Sequence, residues 1–155
     1  MLRRAFVVAA VGWAVALPLA TWIASGTHPS TWLYAPVFTV YWIGARVCHQ
    51  RPDRSFYLWA VQMPVCARCT GIYVGGALAA LVSSLALRGA RAGAVSSSWP
   101  SRTWRVAFAI AALPTLATLA AEWSGGRPTS NAVRAIAGLP IGALVSWAVL
   151  RAEVN

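Results

Sequence analysis

Residues 48–73 read CHQRPDRSFYLWAVQMPVCARCTGIY, and this stretch carries most of what the sequence says about function. It contains all three cysteines of the chain and one of its two histidines. Three of the thirteen arginines lie within it, and Arg46 lies just before it. Almost everything outside the stretch is apolar and has a pattern typical of helices. We therefore expect any chemistry of the protein to lie here.

Two pairs of possible metal ligands lie in this stretch. Cys48 is followed directly by His49, and Cys66 and Cys69 form a C-x-x-C that begins eighteen positions after Cys48. Ligand pairs separated by about 15–20 residues are typical of zinc sites, and three thiolates with one imidazole suit tetrahedral zinc. We predict that these four residues bind one zinc ion, although the same donors accept copper(I) or iron. Neighbouring side chains of an extended segment point opposite ways, so both Cys48 and His49 can bind only at a sharp turn.

The same thiols allow other interpretations. Cys66 and Cys69 precede a helix predicted to begin near Thr70, and the helix dipole and Arg68 both favour thiolates there. A membrane thiol–disulfide oxidoreductase, with Cys48 as a third thiol, is therefore the first alternative. The second is a small lipid-binding or transport bundle without a metal, whose arginines bind lipid phosphate. A purely structural loop is also possible, because buried cysteines often serve as small apolar residues.

The stretch resembles the hallmark of an uncharacterised family of bacterial and archaeal membrane proteins, catalogued as domain of unknown function 2085. That hallmark is C-H-Q-x-P-x-R-S-F followed by P-x-C-x-R-C-x-G-x-Y. The matching residues are Cys48, His49, Gln50, Pro52, Arg54, Ser55, Phe56, Pro64, Cys66, Arg68, Cys69, Gly71 and Tyr73. The resemblance covers the chain from about Trp42 onward. It implies a helical membrane protein and assigns no activity.

A later family element, S-T-N-x-x-R followed by glycines, resembles the start of the last predicted helix. It is matched by Asn131, Arg134, Gly138 and Gly142, with Thr129 and Ser130 in reversed order. The family also tends to carry an acid inside the preceding helix and a glutamine one turn later. This chain has Thr118 and Glu122 at those positions, so its acid lies one turn further on.

Composition indicates an integral membrane protein of one domain. Of the 155 residues 59% are hydrophobic and only 10% are charged, and the mean hydropathy is +0.62. A soluble domain carries about 25% charged residues. The net charge of +10 comes from arginines scattered between apolar segments. Scattered arginines predict anchoring to the headgroups of a lipid bilayer and no nucleic acid as a partner. We expect this bilayer to be a bacterial plasma membrane.

The hydrophobic pattern predicts an all-α membrane bundle of four or five transmembrane helices. The apolar segments are residues 5–25, 32–47, 70–87, 106–123 and 131–150. The second segment is short for a span, and we expect it to cross the membrane. Small-residue pairs in the third and fifth segments, Gly71 with Gly75 and Gly138 with Gly142, predict that these two helices pack closely. Ser130 or Asn131 is expected to cap the last helix.

Alternating spans place the loop before the third helix and the loop before the fifth on the same side. We therefore expect the Cys/His site to lie near Glu122 and Arg134. A cation in the first turn of a helix opposes the helix dipole, so Arg134 needs an anionic neighbour. Glu122 is either a functional acid or the ion-pair partner of Arg127 or Arg134. The residues predicted to support the site and balance its charge are Gln50, Arg54, Arg68, Glu122, Asn131 and Arg134.

Orientation depends on the second segment. With five spans, cytoplasmic Arg3 and Arg4 place the motif in the cytoplasm and the loop from Arg88 to Arg105 outside. The arginines of that loop indicate the reverse, because short cytoplasmic loops are rich in arginine. The conflict disappears if the second segment does not cross, since the motif then faces outward.

Overall fold

Five α-helices and one β-hairpin make up the protein. The computed structural model describes residues 1–26, 31–89, 100–125 and 129–152. The helices are α1 (Leu2–Ala24), α2 (Thr31–Val47), α3 (Ala67–Gly89), α4 (Ser101–Trp123) and α5 (Asn131–Ala152). A 3-10 turn (Pro52–Arg54) leads into the antiparallel strands β1 (Ser55–Leu58) and β2 (Val61–Cys66). The predicted all-α membrane bundle is confirmed, with the hairpin as an addition.

Four helices in the described part of the chain are long and apolar enough to cross a membrane. These are α1, α3, α4 and α5, with apolar lengths of 20–23 residues. A span needs about 20 residues at 1.5 Å per residue. The remaining helix, α2, has 17 residues and falls short of that length.

Helices α3 and α5 run parallel and form the closest contact of the bundle. Gly71 lies against the backbone of Ala135, and Gly75 lies against that of Leu139. A Cβ atom added to either glycine, or to Gly142 of α5, would overlap a backbone carbonyl of the facing helix. Without a hydrophobic driving force in lipid, such close backbone contact is what holds helices together. The predicted packing through glycines is confirmed.

Helix α4 packs antiparallel to α5. The hydroxyl of Thr115 donates to the Ala137 carbonyl at 2.8 Å, and the rings of Trp104 and Trp147 lie 5.2 Å apart. The C-terminal end of α4 therefore lies beside the N-terminal end of α5. Ser130 caps that end, since its hydroxyl accepts a hydrogen bond from the Val133 N–H at 3.3 Å.

Helix α1 runs antiparallel to α3. Arg3 at the start of α1 donates to the carbonyl of Ser83 near the end of α3, at 3.1 Å. Further along, the rings of Trp13 and Tyr73 meet edge to face at 5.9 Å. Leu17 then packs in one buried cluster with residues of the hairpin. The start of α3 therefore lies at the same end of the bundle as the C-terminal end of α1.

The expectation that the second apolar segment crosses the membrane is wrong. Since α1 ends and α3 begins at the same end, the chain between them makes no net crossing. Helix α2 and the hairpin instead fold back on each other, and the Tyr41 hydroxyl donates to the Gln62 carbonyl at 2.8 Å. The described residues therefore contain four candidate spans.

The hairpin is a feature that the sequence pattern did not reveal. Its strands pair Tyr57 with Gln62 and Leu58 with Val61. Two-residue hairpin turns normally use Asn and Gly, because both positions need positive φ. Here Trp59 and Ala60 occupy them, at φ 51° and 62°. The usual turn signal is therefore missing, and residues 56–63 look like an apolar loop.

Candidate metal centre and its arginine cluster

Three cysteines from three separate segments meet at one point. Cys48 follows α2, Cys66 ends β2, and Cys69 lies in the first turn of α3. Their sulfur atoms all lie within 4.8 Å of one another, and all three thiols are free. Sulfurs bound to one tetrahedral zinc at 2.3 Å are about 3.8 Å apart. The thiols therefore need only a small inward shift to share one ion.

The path of the chain after α2 depends on Gln50. Its side-chain amide donates to the Pro64 carbonyl at 2.6 Å and to the Tyr41 carbonyl at 3.1 Å. Its own φ of 46° turns the backbone at this point. Gly44 lets the Pro64 carbonyl approach α2, where a Cβ atom would overlap it. Gln50 thus connects the end of α2 to β2 and leaves Cys48 beside Cys66.

Backbone donors also reach the sulfur cluster. The N–H of Cys66 donates to Sγ of Cys48 at 3.1 Å. Hydrogen bonding from the thiol of Cys69 lowers the pKa of Cys66 below its ordinary value; the Cys69 N–H assists this shift and burial opposes it. The thiolate is the form that binds metals and attacks disulfides.

His49, the predicted fourth ligand, lies apart from the thiols. Its side chain is exposed, whereas Cys48 is buried. Among the described residues, the group of close ligand atoms comprises the three cysteines only. The difference in burial between these two neighbours fits the expectation that adjacent side chains of an extended segment cannot both reach one ion.

Gln62 is a site residue that sequence reasoning missed. Its amide donates to the Gln50 carbonyl at 2.6 Å and to the Ser55 hydroxyl at 3.3 Å. Gln62 thereby ties the hairpin to the turn that follows Cys48. The available signal was a lone amide inside an aromatic and apolar run, since a polar group at membrane depth needs a partner.

Beside the thiols, three arginines surround one buried carboxylate. Glu122 Oε1 accepts a hydrogen bond from Arg134 Nε at 2.8 Å and lies 3.7 Å from a terminal nitrogen of Arg68. A terminal nitrogen of Arg54 lies 3.1 Å from Oε2. The exposed side-chain fraction is 4% for Glu122, 7% for Arg134, 16% for Arg68 and 28% for Arg54. The expected convergence of these residues is confirmed; Arg127, the other suggested partner of Glu122, lies outside the described residues.

Asn131 connects this arginine cluster to the hairpin. Its amide donates to the Ser55 carbonyl at 2.8 Å, while its carbonyl oxygen accepts from Arg134 at 2.8 Å. Arg134 also donates to the Asp53 carbonyl at 3.4 Å. Because Ser55 pairs with Cys66 in the hairpin, these contacts join the start of α5 to the cysteine segment.

Thr118 and Glu122, the position where the family tends to carry an acid and the position of the acid in this chain, both contact Arg68. Arg68 donates to the Thr118 hydroxyl at 3.1 Å and also contacts Glu122, one turn further along α4. Residues four apart lie on one face of a helix. A move of the acid by one turn therefore keeps it within reach of Arg68.

Four apolar spans, a cluster of three thiols and a buried arginine–carboxylate cluster at one end define a small helical membrane protein with a candidate metal centre. The family model described as "Predicted membrane protein (DUF2085)" matches residues 48–148, and the chain belongs to this family. The matched range includes every thiol and every member of the arginine cluster.

Two relatives are uncharacterized archaeal proteins. One, from Methanocaldococcus jannaschii, is 40% identical over 50 residues, which cover 32% of this chain and 31% of that protein. The other, from Methanothermobacter thermautotrophicus, is 30% identical over 96 residues, which cover 62% of this chain and 78% of that protein. No solved structure matches the chain. A bacterial plasma membrane as its location stays a prediction.

Proposed function

We propose that the protein binds one soft metal ion, zinc in first place, through the thiolates of Cys48, Cys66 and Cys69. The observation that carries this proposal is that the sulfur of Cys48 lies within 4.8 Å of the sulfurs of Cys66 and Cys69, although Cys48 is eighteen positions before Cys66 in the chain. Thiolate ligands favour zinc, copper(I) and iron–sulfur centres over hard cations such as magnesium.

The number of ligands suggests an open coordination position. Structural zinc sites are closed by four protein ligands, whereas sites that act on a ligand keep one position free. Three thiolates converge here, and His49 is exposed outside the group. Water or a small exogenous ligand would complete the tetrahedron.

A metal ion at this point would also stabilise the fold. It would link the end of α2, the end of β2 and the start of α3. These elements return the chain to the end of the bundle where α1 ends. Metal binding free energy adds to folding free energy when the site exists only in the folded state. The site therefore supports the hairpin while keeping one position for a ligand.

The distribution of arginines favours an outward-facing site. Among the described residues, the end opposite the thiols carries six arginines, namely Arg3, Arg4, Arg88, Arg102, Arg105 and Arg151. The described part of the site end carries five, namely Arg46, Arg51, Arg54, Arg68 and Arg134. Three of these five surround Glu122, which leaves two without that role. Since cytoplasmic ends are rich in arginine, we infer that the end opposite the thiols is the cytoplasmic one.

A thiol–disulfide oxidoreductase is the second candidate. The C-x-x-C pair lies at the start of α3, and the third sulfur is close enough to exchange with it. Disulfides persist outside the cytoplasm, which is the side that the arginine distribution favours for this site. This candidate and the metal site use the same sulfur atoms. One experiment that measures both bound metal and free thiols therefore separates them.

The test is elemental analysis of protein purified in mild detergent without chelators, together with a count of free thiols. We expect about one zinc, or another soft metal, per chain in the wild type and none in the Cys66→Ser/Cys69→Ser variant. Absence of metal from both proteins, with two thiols of the wild type oxidised, would exclude the metal site and support the oxidoreductase.

A further inference from the structure

The charges around Glu122 do not balance. Three guanidinium groups, those of Arg54, Arg68 and Arg134, contact this one carboxylate, which leaves an excess of two positive charges. Glu122 and Arg134 are almost fully buried. Excess charge away from water is costly unless a counterion accompanies it.

The other acid of the described chain does not remove this excess. Asp53 Oδ2 lies 3.5 Å from Arg54 Nε, but Oδ1 accepts a hydrogen bond from Arg51 at 3.2 Å. Arg51 and Asp53 add one charge of each sign, and both are largely exposed. The proposed zinc with three thiolates carries a single negative charge, so the cluster stays positive beside it.

Two of the three arginines also have a buried donor without an acceptor. Among the described residues, neither Arg54 Nε nor Arg68 Nε forms a hydrogen bond. Oε2 of Glu122 accepts none either, although it lies close to Arg54. Buried polar groups in native proteins are nearly always paired, and exceptions point to a water or an ion. The cluster therefore offers N–H donors for acceptor oxygens and one carboxylate oxygen for a hydroxyl.

We propose that the cluster of Arg54, Arg68, Arg134 and Glu122 binds the phosphate group of a phosphomonoester. Guanidinium groups match phosphate oxygens in geometry and charge. A phosphomonoester carries about 1.5 to 2 negative charges at neutral pH, which offsets the excess. The singly protonated form carries one negative charge, and it also donates a hydroxyl to Glu122 Oε2, which sulfate and phosphodiesters cannot do.

The position of the cluster allows two sources of this phosphate. Glu122 lies one residue before the end of α4, and Arg134 lies in the first turn of α5. The cluster is thus at an end of the spans, where lipid phosphates lie. Partial exposure of Arg54 gives access from that surface. Phosphatidate in the membrane and inorganic phosphate in solution offer the same group.

The test measures the thermal unfolding midpoint in a neutral detergent. Phosphate is titrated against sulfate at equal ionic strength, and short-chain phosphatidate against phosphatidylglycerol. We expect stabilisation by inorganic phosphate or phosphatidate only, with an affinity at least about tenfold weaker in Arg54→Gln and Arg68→Gln, since each loses a charge-assisted contact. Arg51→Gln is the matched control and should respond as the wild type does.

Each outcome has one meaning. A response to inorganic phosphate identifies the free anion as ligand, and a response to phosphatidate alone identifies the lipid headgroup. An equal response to sulfate or phosphatidylglycerol, an equal loss in Arg51→Gln, or no response to either inorganic phosphate or phosphatidate overturns the proposal. The comparison of ligands on the wild-type protein stays informative even if a variant does not fold. Metal content, measured in the same samples, should stay unchanged in Arg54→Gln, which separates this site from the metal centre.

Discussion

Oε1 of Glu122 accepts a hydrogen bond from Nε of Arg134 at 2.8 Å, and this contact joins the last turn of α4 to the first turn of α5. Arg134 opposes the dipole of its own helix at that position, so it depends on the carboxylate opposite. The same carboxylate contacts Arg54 and Arg68. One acid thus holds together the 3-10 turn, α3, α4 and α5.

Neutralising this acid should destabilise the protein. We expect Glu122→Gln to lower the free energy of unfolding by about 3 kcal/mol, because removing one partner of a buried pair leaves the other charge uncompensated. Denaturation of the detergent-solubilised protein measures this change in the free energy of unfolding. Asp53→Asn, which removes an exposed carboxylate beside Arg54, is the control and should have a much smaller effect. Equal effects of the two substitutions would contradict the central role of Glu122.

The glycine contact between α3 and α5 should tolerate no added methyl group. We expect Gly142→Ala to cost about 1–3 kcal/mol, because its Cβ atom would overlap the Ile72 carbonyl and force the helices apart. Gly12→Ala in α1 meets no atom within 4 Å among the described residues and should be neutral or slightly stabilising. The free energy of unfolding, measured for both variants, tests this expectation. A tolerated Gly142→Ala would mean that α3 and α5 do not pack backbone to backbone.

The hairpin turn should gain stability from glycine. Ala60 has φ 62°, a conformation that disfavours residues with a Cβ atom. We expect Ala60→Gly to stabilise the protein by about 0.5–1 kcal/mol, less than the strain removed, because glycine also gains freedom in the unfolded chain. As a contrast, Ala9→Gly in the interior of α1 should cost up to about 1 kcal/mol. If both variants lose stability equally, the turn is not strained as described.

Removing the histidine should leave the metal in place. We expect His49→Ala to keep the metal content of the wild type, since the side chain is exposed outside the thiol group. Cys48→Ala should lose most of the metal, because it removes one of three ligands. Elemental analysis of both variants provides the comparison. Loss of metal from His49→Ala would show that the imidazole turns inward and completes the four-ligand set that the sequence suggested.

Labelling in intact cells should place the hairpin and the end of α1 on one side. New cysteines at Gly26 and at Trp59 should both react with a membrane-impermeant maleimide, because α2 makes no net crossing. A cysteine at Arg4 should react only after the membrane is opened. The unmodified chain gives the background from the native thiols. Opposite reactivity at Gly26 and Trp59 would restore a fifth span, and labelling only at Arg4 would reverse the orientation.

The ion cluster is the part of the site that sequence reasoning predicted best. Alternation of spans was enough to bring the motif to the side of Glu122 and Arg134, and a cation in a first helical turn indicated a carboxylate partner. This placement holds although α2 makes no net crossing, because it needs only that α3 and α5 begin on the same side. Their parallel contact, Gly71 against Ala135, shows that they do.

The hairpin was not predicted for two reasons, one in the local sequence and one in contacts between residues far apart in the sequence. Locally, Trp59 and Ala60 give no turn signal, because neither is a residue that favours positive φ. At a distance, the strands are held by amides that reach across the sequence, such as Gln62 to the Gln50 carbonyl. Contacts of this kind depend on the path of the backbone in three dimensions, and the hydrophobic periodicity of the sequence carries no information on that path.

The sequence by itself determined that this is a helical membrane protein with all three thiols and three of its arginines in one stretch. Composition and the length of apolar runs report directly on transfer into lipid, so no contact between distant residues is needed. Only the tertiary structure decided that α2 makes no net crossing and that three sulfurs meet while His49 lies outside. Both depend on the backbone path between α2 and α3. Contacts between residues far apart in sequence set that path, notably Gln50 with the Pro64 carbonyl and Arg3 with that of Ser83.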